Sequence, residues 1–505
     1  MKLATTYSRA QLGVEAPLIT IEVQLSPGLP RLSIVGLAET AVKESKDRVR
    51  AALLNSRFNF PSSGCITINL APADLPKEGA RFDLAIAVGI LAATGQLDNE
   101  ITGQYEIAGE LSLSGHIRPV SGIVPMVVQA KTAGRTIIVP KDNQQEAAFI
   151  NDAEIYLADH LLTVCDHFKQ LKTLPKVTYD AERLTSPRQS APDLRDVKGQ
   201  HQAKRALEIA AAGRHNMLLS GPPGTGKSML ADRLPGILPP PNEQEALEIA
   251  EILSVTHKGI SINDWHNRPF RSPHHTASST ALTGGGSPPR PGEISLAHQG
   301  VLFLDELPEY NRKALESLRE PLETGKIHIS RAAYQVTFPA KFQLIAAMNP
   351  CPCGYFGDAD GRCSCSANQI RNYRTRLSGP LLDRIDIQLH VPALQPQLLR
   401  QADPQAESSE TVRQRVICTQ QRQWENYGKA SAELKPSEIE KVCQLDQRCM
   451  ALLDRACQQL QLSTRAYHRT LRLSRTIADL DQQDRIAEHH LLEALSYRAL
   501  DRASP

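Results

Sequence analysis

The chain has 505 residues, more than one ordinary core accommodates, so two or three domains are expected. Its 57 lysines and arginines nearly balance 55 aspartates and glutamates, which excludes nucleic-acid binding through net charge and leaves only local patches for it. No apolar run reaches the ~18 residues of a membrane span, MKLATTYSRA lacks the apolar centre of a signal peptide, and ten cysteines make no disulfide framework, so a cytoplasmic protein without a membrane partner is expected.

From residue 19, ITIEVQL alternates apolar and polar positions like a half-buried strand, and SPGLPRLSIVG adds a turn and a second short strand. ETAVKESKDRVRAALLNS carries apolar residues at helical spacing, CITINLAP returns to strand, and FDLAIAVGILAATG predicts a buried helix. YEIAGELSLSG and RTIIVP add strands and complete a first α+β block over residues 1–175. Two prolines and little periodicity mark residues 176–192 as a linker. A middle block spans 193–392, and VPALQPQLLRQADPQAESSET begins a last block, 393–505, which is helical to its end: EIEKVCQLDQRCMALLDRACQQL, TRAYHRTLRLSRTIADL and HHLLEALSYRAL each carry an apolar stripe. Cys65, Cys165, Cys418, Cys443, Cys449 and Cys457 stand alone or at helical spacing and read as structural.

The middle block carries the chemistry. NMLLSGPPGTGKSML runs from a short apolar strand through Gly221, Pro222, Pro223, Gly224, Thr225, Gly226, Lys227 and Ser228 into a helical pattern, the full G-x-x-x-x-G-K-S phosphate loop in its strand–loop–helix setting. Glycines let the backbone bend until its N–H groups converge on phosphate oxygens, aided by the positive end of the helix. Lys227 is expected on the β- and γ-phosphates and the Ser228 hydroxyl on Mg²⁺. QGVLFLDELPEY is an apolar strand that delivers Asp305 and Glu306 to its end. Asp305 would position hydrated Mg²⁺ and Glu306 would polarise the attacking water.

A third strand, FQLIAAMNP, ends in Asn349, a neutral group able to orient that water or touch the γ-phosphate. RLSGPLLDRIDIQLH sets Arg384 between a helix end and a strand, suited to stabilising charge on a transferring phosphoryl, if a neighbouring subunit holds the nucleotide; the bland alternative is a pair with Asp383 or Asp386. On TRAYHRTLRLSR, Arg465, Arg469 and Arg472 share a helix, and Arg465 at its start is the choice for a lid residue on phosphate. CPCGYFGDADGRCSC offers Cys351, Cys353, Cys363 and Cys365, four thiolates that suit a closed structural zinc site, with unligated or iron-bound thiols as alternatives. His274 and His275 read as structural or nucleotide-proximal.

The order phosphate loop, LFLDE, AAMNP, LLDRID and helical arginine resembles the AAA+ ATPases, and PFRSPHHTASSTALTGGGSPPRPGEISLAHQGVLFLDE resembles their magnesium-chelatase-like branch. The first block resembles the Lon-protease-like fold (ribosomal S5 domain 2-like). The resemblance therefore implies an α/β chain of three parts: that α+β domain, an AAA+ core with a parallel sheet and a cysteine insertion at 351–365, and a C-terminal helical lid. The chain departs from the Lon pattern where its dyad belongs. PKEGARFD has Arg81 in place of the serine and PVSGIVPM has Met126 in place of the lysine, so peptide hydrolysis by that dyad is unavailable. The resemblance further implies a homo-hexameric ATP-driven motor that encircles DNA and drives branch migration in natural transformation, in company with recombination proteins. Candidate contacts to single-stranded or branched DNA are Lys326, His328 and Arg331 on TGKIHISRAAYQVTF, readable as a pore hairpin, and Arg290 on the GGGSPPRPGE loop. The alternative is a chelatase- or chaperone-like remodeller acting on a protein or a metal-insertion complex.

Overall fold

A computed structural model describes residues 2–36, 40–61, 63–178, 192–256, 259–331, 334–357, 361–393, 406–460 and 462–498. The first block is a seven-stranded sheet in the spatial order Arg31–Val35, Cys65–Ala71, Leu18–Ser26, Lys2–Arg9, Tyr105–Ile107, Thr136–Pro140 and Ile155–Ala158. Lys2–Arg9 is its middle strand, antiparallel to Leu18–Ser26 and parallel to Tyr105–Ile107. The sequence pattern did not mark this strand, because its buried face carries Ala4, Thr6 and Ser8 and not large apolar groups. Those small side chains make room for the helix Asp83–Ala93, which is buried along its whole length. Thr6 Oγ1 donates to Ala85 O at 3.0 Å, and a Cβ on Gly89 would stand 2.8 Å from Val23 Cγ2. At the strand's end, buried Arg9 donates to both oxygens of buried Glu106 at 2.6 and 2.8 Å, joining Lys2–Arg9 to its parallel neighbour Tyr105–Ile107.

The middle block is a five-stranded parallel sheet in the order Phe270–Arg271, Val301–Leu304, Gln343–Met348, Met217–Ser220 and Ile387–His390. Its inner strands read as unbroken apolar runs because both faces are covered. A hairpin, Lys326–Arg331 with Tyr334–Pro339, projects from it as expected and alternates buried and exposed positions. The last block is helical, with Thr464–Leu480 as its long buried member.

The blocks are not beads on a string. Gly122 N donates to Ser254 O at 2.8 Å, and the Phe149 and Trp265 rings stack with centroids 4.8 Å apart, which seats the first block on the second. The first block also runs past residue 175, since Val177 N donates to Ile155 O at 2.9 Å. Most of the expected linker, 179–191, lies outside the described residues, as does 394–405 of the second joint. The helix Ser409–Tyr427, placed by sequence in the lid, shares the apolar core of the parallel sheet through Val412 and Val416. Among the described residues no helix is long and apolar enough to cross a membrane.

Because Gly89 has no room for a side chain, Gly89→Leu is expected to destabilise the first block by about 1–3 kcal/mol, read as a lowered unfolding midpoint in denaturant.

Candidate active site

Strand Met217–Ser220 lies between Gln343–Met348 and Ile387–His390, and its end is fixed on both sides. Gly221 N donates to Met348 O at 3.2 Å, and Val391 N donates to Ser220 O at 2.7 Å. The phosphate loop therefore leaves the sheet at the carboxyl edge of its strands, where open α/β sheets bind ligands. Gly224 and Gly226 take φ of +76° and +85°, and a Cβ on either would meet nothing within 4 Å, so the loop opens onto free space. Gly221 is constrained differently, since a Cβ there would lie 2.2 Å from Val391 O.

Lys227 Nζ donates to Gly221 O and Pro222 O, both at 2.8 Å, and to Asn349 Oδ1 at 3.3 Å. Burial lowers its pKa, opposed by the charge of Asp305. The ammonium is thus half-desolvated on neutral acceptors, a state that phosphate oxygens would improve on. Ser228 Oγ donates to Asp305 Oδ2 at 2.6 Å, and Asp305 Oδ1 accepts from Glu306 N at 2.8 Å. A hydroxyl and a carboxylate so paired are the hard oxygen donors that Mg²⁺ takes beside phosphates. Glu306 sits in the left-handed region at φ +51°, and its Oε2 is 2.9 Å from His275 Nδ1. The Tyr310 hydroxyl donates to Pro273 O at 2.5 Å and ties down the loop bearing His275. The sequence leaves His275 structural or nucleotide-proximal; its contact with Glu306 spans 31 positions, from 275 to 306, and no local pattern reports it. Lys227, Ser228, Asp305, Glu306 and Asn349 are therefore one cluster. It can hold Mg-ATP and orient a water, the ion supplying charge neutralisation on the phosphates.

Arg384 and Arg465 are not part of that cluster. Their side chains line a cleft of about 700 Å³ together with Asn216, Gly300, Gln343 and Asp386, the residues at the starts of the strands. The four residues of Met217–Ser220 alone separate the two edges by about 13 Å. Arg384 pairs with neither Asp383 nor Asp386. Its Nη2 contacts Glu323 and its Nη1 donates to Pro380 O at 2.7 Å, while Arg465 Nη2 lies 3.8 Å from the other Glu323 oxygen. Asp386 instead faces Arg469 at 3.6 Å and His215 at 3.5 Å. Arg465, expected on phosphate, stands beside Arg384 at this edge and apart from the phosphate loop of its own subunit.

The four cysteines converge. Their sulfur atoms all lie within 4.8 Å of one another, and Cys351 Sγ is 3.3 Å from Cys353 Sγ and 3.8 Å from Cys363 Sγ. Zinc–sulfur bonds of about 2.3 Å in a tetrahedron require S···S edges near 3.8 Å, so the set fits that ion. Phe356 N donates to Cys351 Sγ at 3.3 Å, the kind of outer contact that steadies a thiolate. The knuckle abuts the phosphate loop, where a Cβ on Gly354 would lie 2.8 Å from Pro223 Cδ.

Lys326, His328 and Arg331 are exposed on the hairpin while Ile327 and Ile329 are buried. Arg290, also exposed, pairs through its backbone with Gly285, and a Cβ on Gly285 would lie 3.3 Å from Arg331 Nη2. The two insertions are thus neighbours. In the first block, Arg81 Nη1 is 3.8 Å from Met126 Sδ, and Arg81 Nη2 donates to Gln11 Oε1 at 2.5 Å. The positions matched to the Lon dyad do meet, but as a buried guanidinium, lowered to about 10 by desolvation, against a thioether.

Fold and site together define a P-loop ATPase of the AAA+ class. Residues 193–399 match the family described as magnesium chelatase, subunit ChlI; residues 21–143 match subunit ChlI of Mg-chelatase, and 406–498 match its C-terminal part. The chain is 52% identical over 502 residues to the uncharacterized protein YifB of Salmonella typhimurium and 49% identical over 504 residues to the competence protein ComM of Haemophilus influenzae, covering 99% of this chain and 98% of each relative. A weaker similarity, 29% over 180 residues, covers 32% of this chain and 22% of the Lon protease of Halothermothrix orenii. The chain belongs to the ComM/YifB family of magnesium-chelatase-like AAA+ proteins. ATP and Mg²⁺ are the cofactors that family implies.

Glu306→Gln is expected to lower the ATPase kcat by about 10²–10⁴-fold while nucleotide still binds, whereas Lys227→Ala loses binding itself; fluorescent-nucleotide titration beside steady-state phosphate release separates the two.

Proposed function

We propose that this protein is a ring-forming, ATP-driven DNA motor, a helicase or branch-migration factor that acts on recombination intermediates during natural transformation. The observation that carries the ring is the division of the hydrolytic groups. The phosphate loop, Asp305 and Glu306 stand at one edge of the sheet and Arg384 and Arg465 at the other. Head-to-tail packing brings one copy's arginines to the next copy's nucleotide, and a closed ring of such contacts, a hexamer by family precedent, completes every site. In that ring Lys227 binds and Asn349 senses the γ-phosphate, Glu306 polarises water, and the neighbour's Arg384 and Arg465 stabilise the charge that develops.

The DNA part rests on two supports. Lys326, His328, Arg331 and Arg290 form a cationic group on adjacent insertions, suited to phosphate contacts that are independent of sequence and sensitive to salt. The full-length relative in Haemophilus influenzae is a competence protein. The four-cysteine knuckle is proposed to hold one structural zinc ion, which stiffens the segment joining Asn349 to Arg384 where it abuts the phosphate loop. A second reading, a remodeller of a protein or a metal-insertion complex, is favoured by the family described as a magnesium chelatase subunit, which matches in three segments.

Single-stranded DNA is expected to raise the ATPase rate and a branched substrate to be displaced by the native chain but not by Lys227→Ala. Stimulation by a folded protein with no response to DNA selects the remodeller. Metal analysis of the reduced protein is expected to return one zinc per chain, lost in a Cys351→Ser, Cys363→Ser double variant; full DNA coupling without bound zinc contradicts the scaffold role.

A further inference from the structure

Glu323 belongs to no motif, yet it stands where three functional parts meet. One carboxylate oxygen contacts Arg384 Nη2 and the other lies 3.8 Å from Arg465 Nη2, so a single anion compensates both arginines that face the neighbouring copy. Arg384 is 8% exposed, whereas the Glu323 side chain is 58% exposed. The carboxylate thus occupies the open side of the guanidinium, the side from which a phosphate would have to approach. Both are anions competing for the same N–H donors, and a guanidinium already paired to carboxylate offers little to a phosphoryl oxygen.

Glu323 is also tied to the hairpin. It lies in the short helix Pro321–Thr324, and only Gly325, at φ +67°, separates that helix from strand Lys326–Arg331. Ala340 N donates to Gly325 O at 2.8 Å and Lys326 N donates to Thr324 Oγ1 at 3.2 Å, which closes the base of the hairpin around this turn. A Cβ on Gly325 would lie 2.9 Å from Lys341 Cγ, leaving little play at the joint. A hairpin displacement therefore carries Glu323 with it. Arg384 does not follow, because its Nη1 is held by Pro380 O within its own turn.

We propose that Glu323 is a positioning residue that restrains Arg384 and Arg465 until the hairpin at 326–339 moves, so that the hairpin's ligand governs hydrolysis in the adjacent subunit. The proposal rests on the ring described above. It assigns the hairpin a route to the chemistry that does not pass through the subunit's own nucleotide.

The test is the neutral, isosteric Glu323→Gln in the full chain, with ATPase measured at concentrations where sedimentation shows native and variant proteins equally assembled. Without DNA, kcat is expected to rise about three- to fivefold, the size that a partly exposed ion pair supports, with KM for ATP unchanged. The rise is expected to vanish when Arg384→Ala is added and to be absent in Glu323→Asp, which keeps the charge. With single-stranded DNA, the native rate rises towards that of Glu323→Gln, which gains nothing more. A Glu323→Gln kcat that is unchanged, or that falls to the Arg384→Ala level, overturns the proposal. A native enzyme deaf to DNA, with the DNA-free rise intact, defeats the DNA reading and keeps the restraint.

Discussion

A parallel strand has two different ends, and the chemistry of this chain is organised by which residues stand at each. Main-chain pairing fixes Met217–Ser220 between two buried strands, so Lys227, Asp305 and Asn349 must emerge together at the carboxyl edge. The same pairing sends Arg384, three residues before strand Ile387–His390, to the amino edge. Side-chain rotation cannot carry a guanidinium across the sheet to its own subunit's phosphate loop. This separation is the reason a second copy is proposed to complete the site.

What secures the amino edge is a buried polar network. Burial alone would raise the pKa of Asp386, but Arg469 and His215 outweigh it and hold the carboxyl well below the usual carboxylate range. Such a depressed carboxylate contributes stability above the ordinary aspartate pKa, near 4, and loses it only as pH falls through its lower folded value. The joint is thus intact at neutral pH. Asn216 adds a bridge, its amide donating to Arg384 O at 2.9 Å and its Oδ1 accepting from Leu344 N at 2.8 Å. Arg469 comes from the last helical block, so the arginine edge of the sheet and the lid helix Thr464–Leu480 are locked in register. The first block contributes by packing: Leu12 and Val14 lie against the core that the hairpin shares, and Tyr334 donates its hydroxyl to Glu78. The Lon-protease-like fold serves there as a brace, with Arg81 against Met126 in its interior.

The parts legible in the sequence are those whose neighbours in space are also neighbours along the chain or stand at apolar strand ends. The phosphate loop, Asp305–Glu306, Asn349, the hairpin and the four cysteines are of this kind. The buried helix Asp83–Ala93 was equally plain, because it is apolar all round. The strand Lys2–Arg9 shows no apolar alternation because packing beneath that helix selects small side chains over large apolar ones. The contact of His275 with Glu306 and the bridge of Glu323 to Arg384 and Arg465 depend on long-range chain crossings, and a carboxylate in PLETGK carries no local sign of its partners. Arg465 is marked by its place at the start of a basic helix, but the sheet edge on which it lies follows only from the fold.

Mixing two inactive variants tests the divided site most directly. Lys227→Ala removes the phosphate-binding group and Arg384→Ala removes the group offered to the neighbour, so each homogeneous ring is expected to be inactive. In rings assembled from equal amounts of both, about a quarter of the sites pair an intact phosphate loop with an intact arginine from the next copy, and ATPase activity is predicted to return to about that fraction. Activity of Arg384→Ala alone at the native level, or mixed rings that stay inactive, would contradict the account.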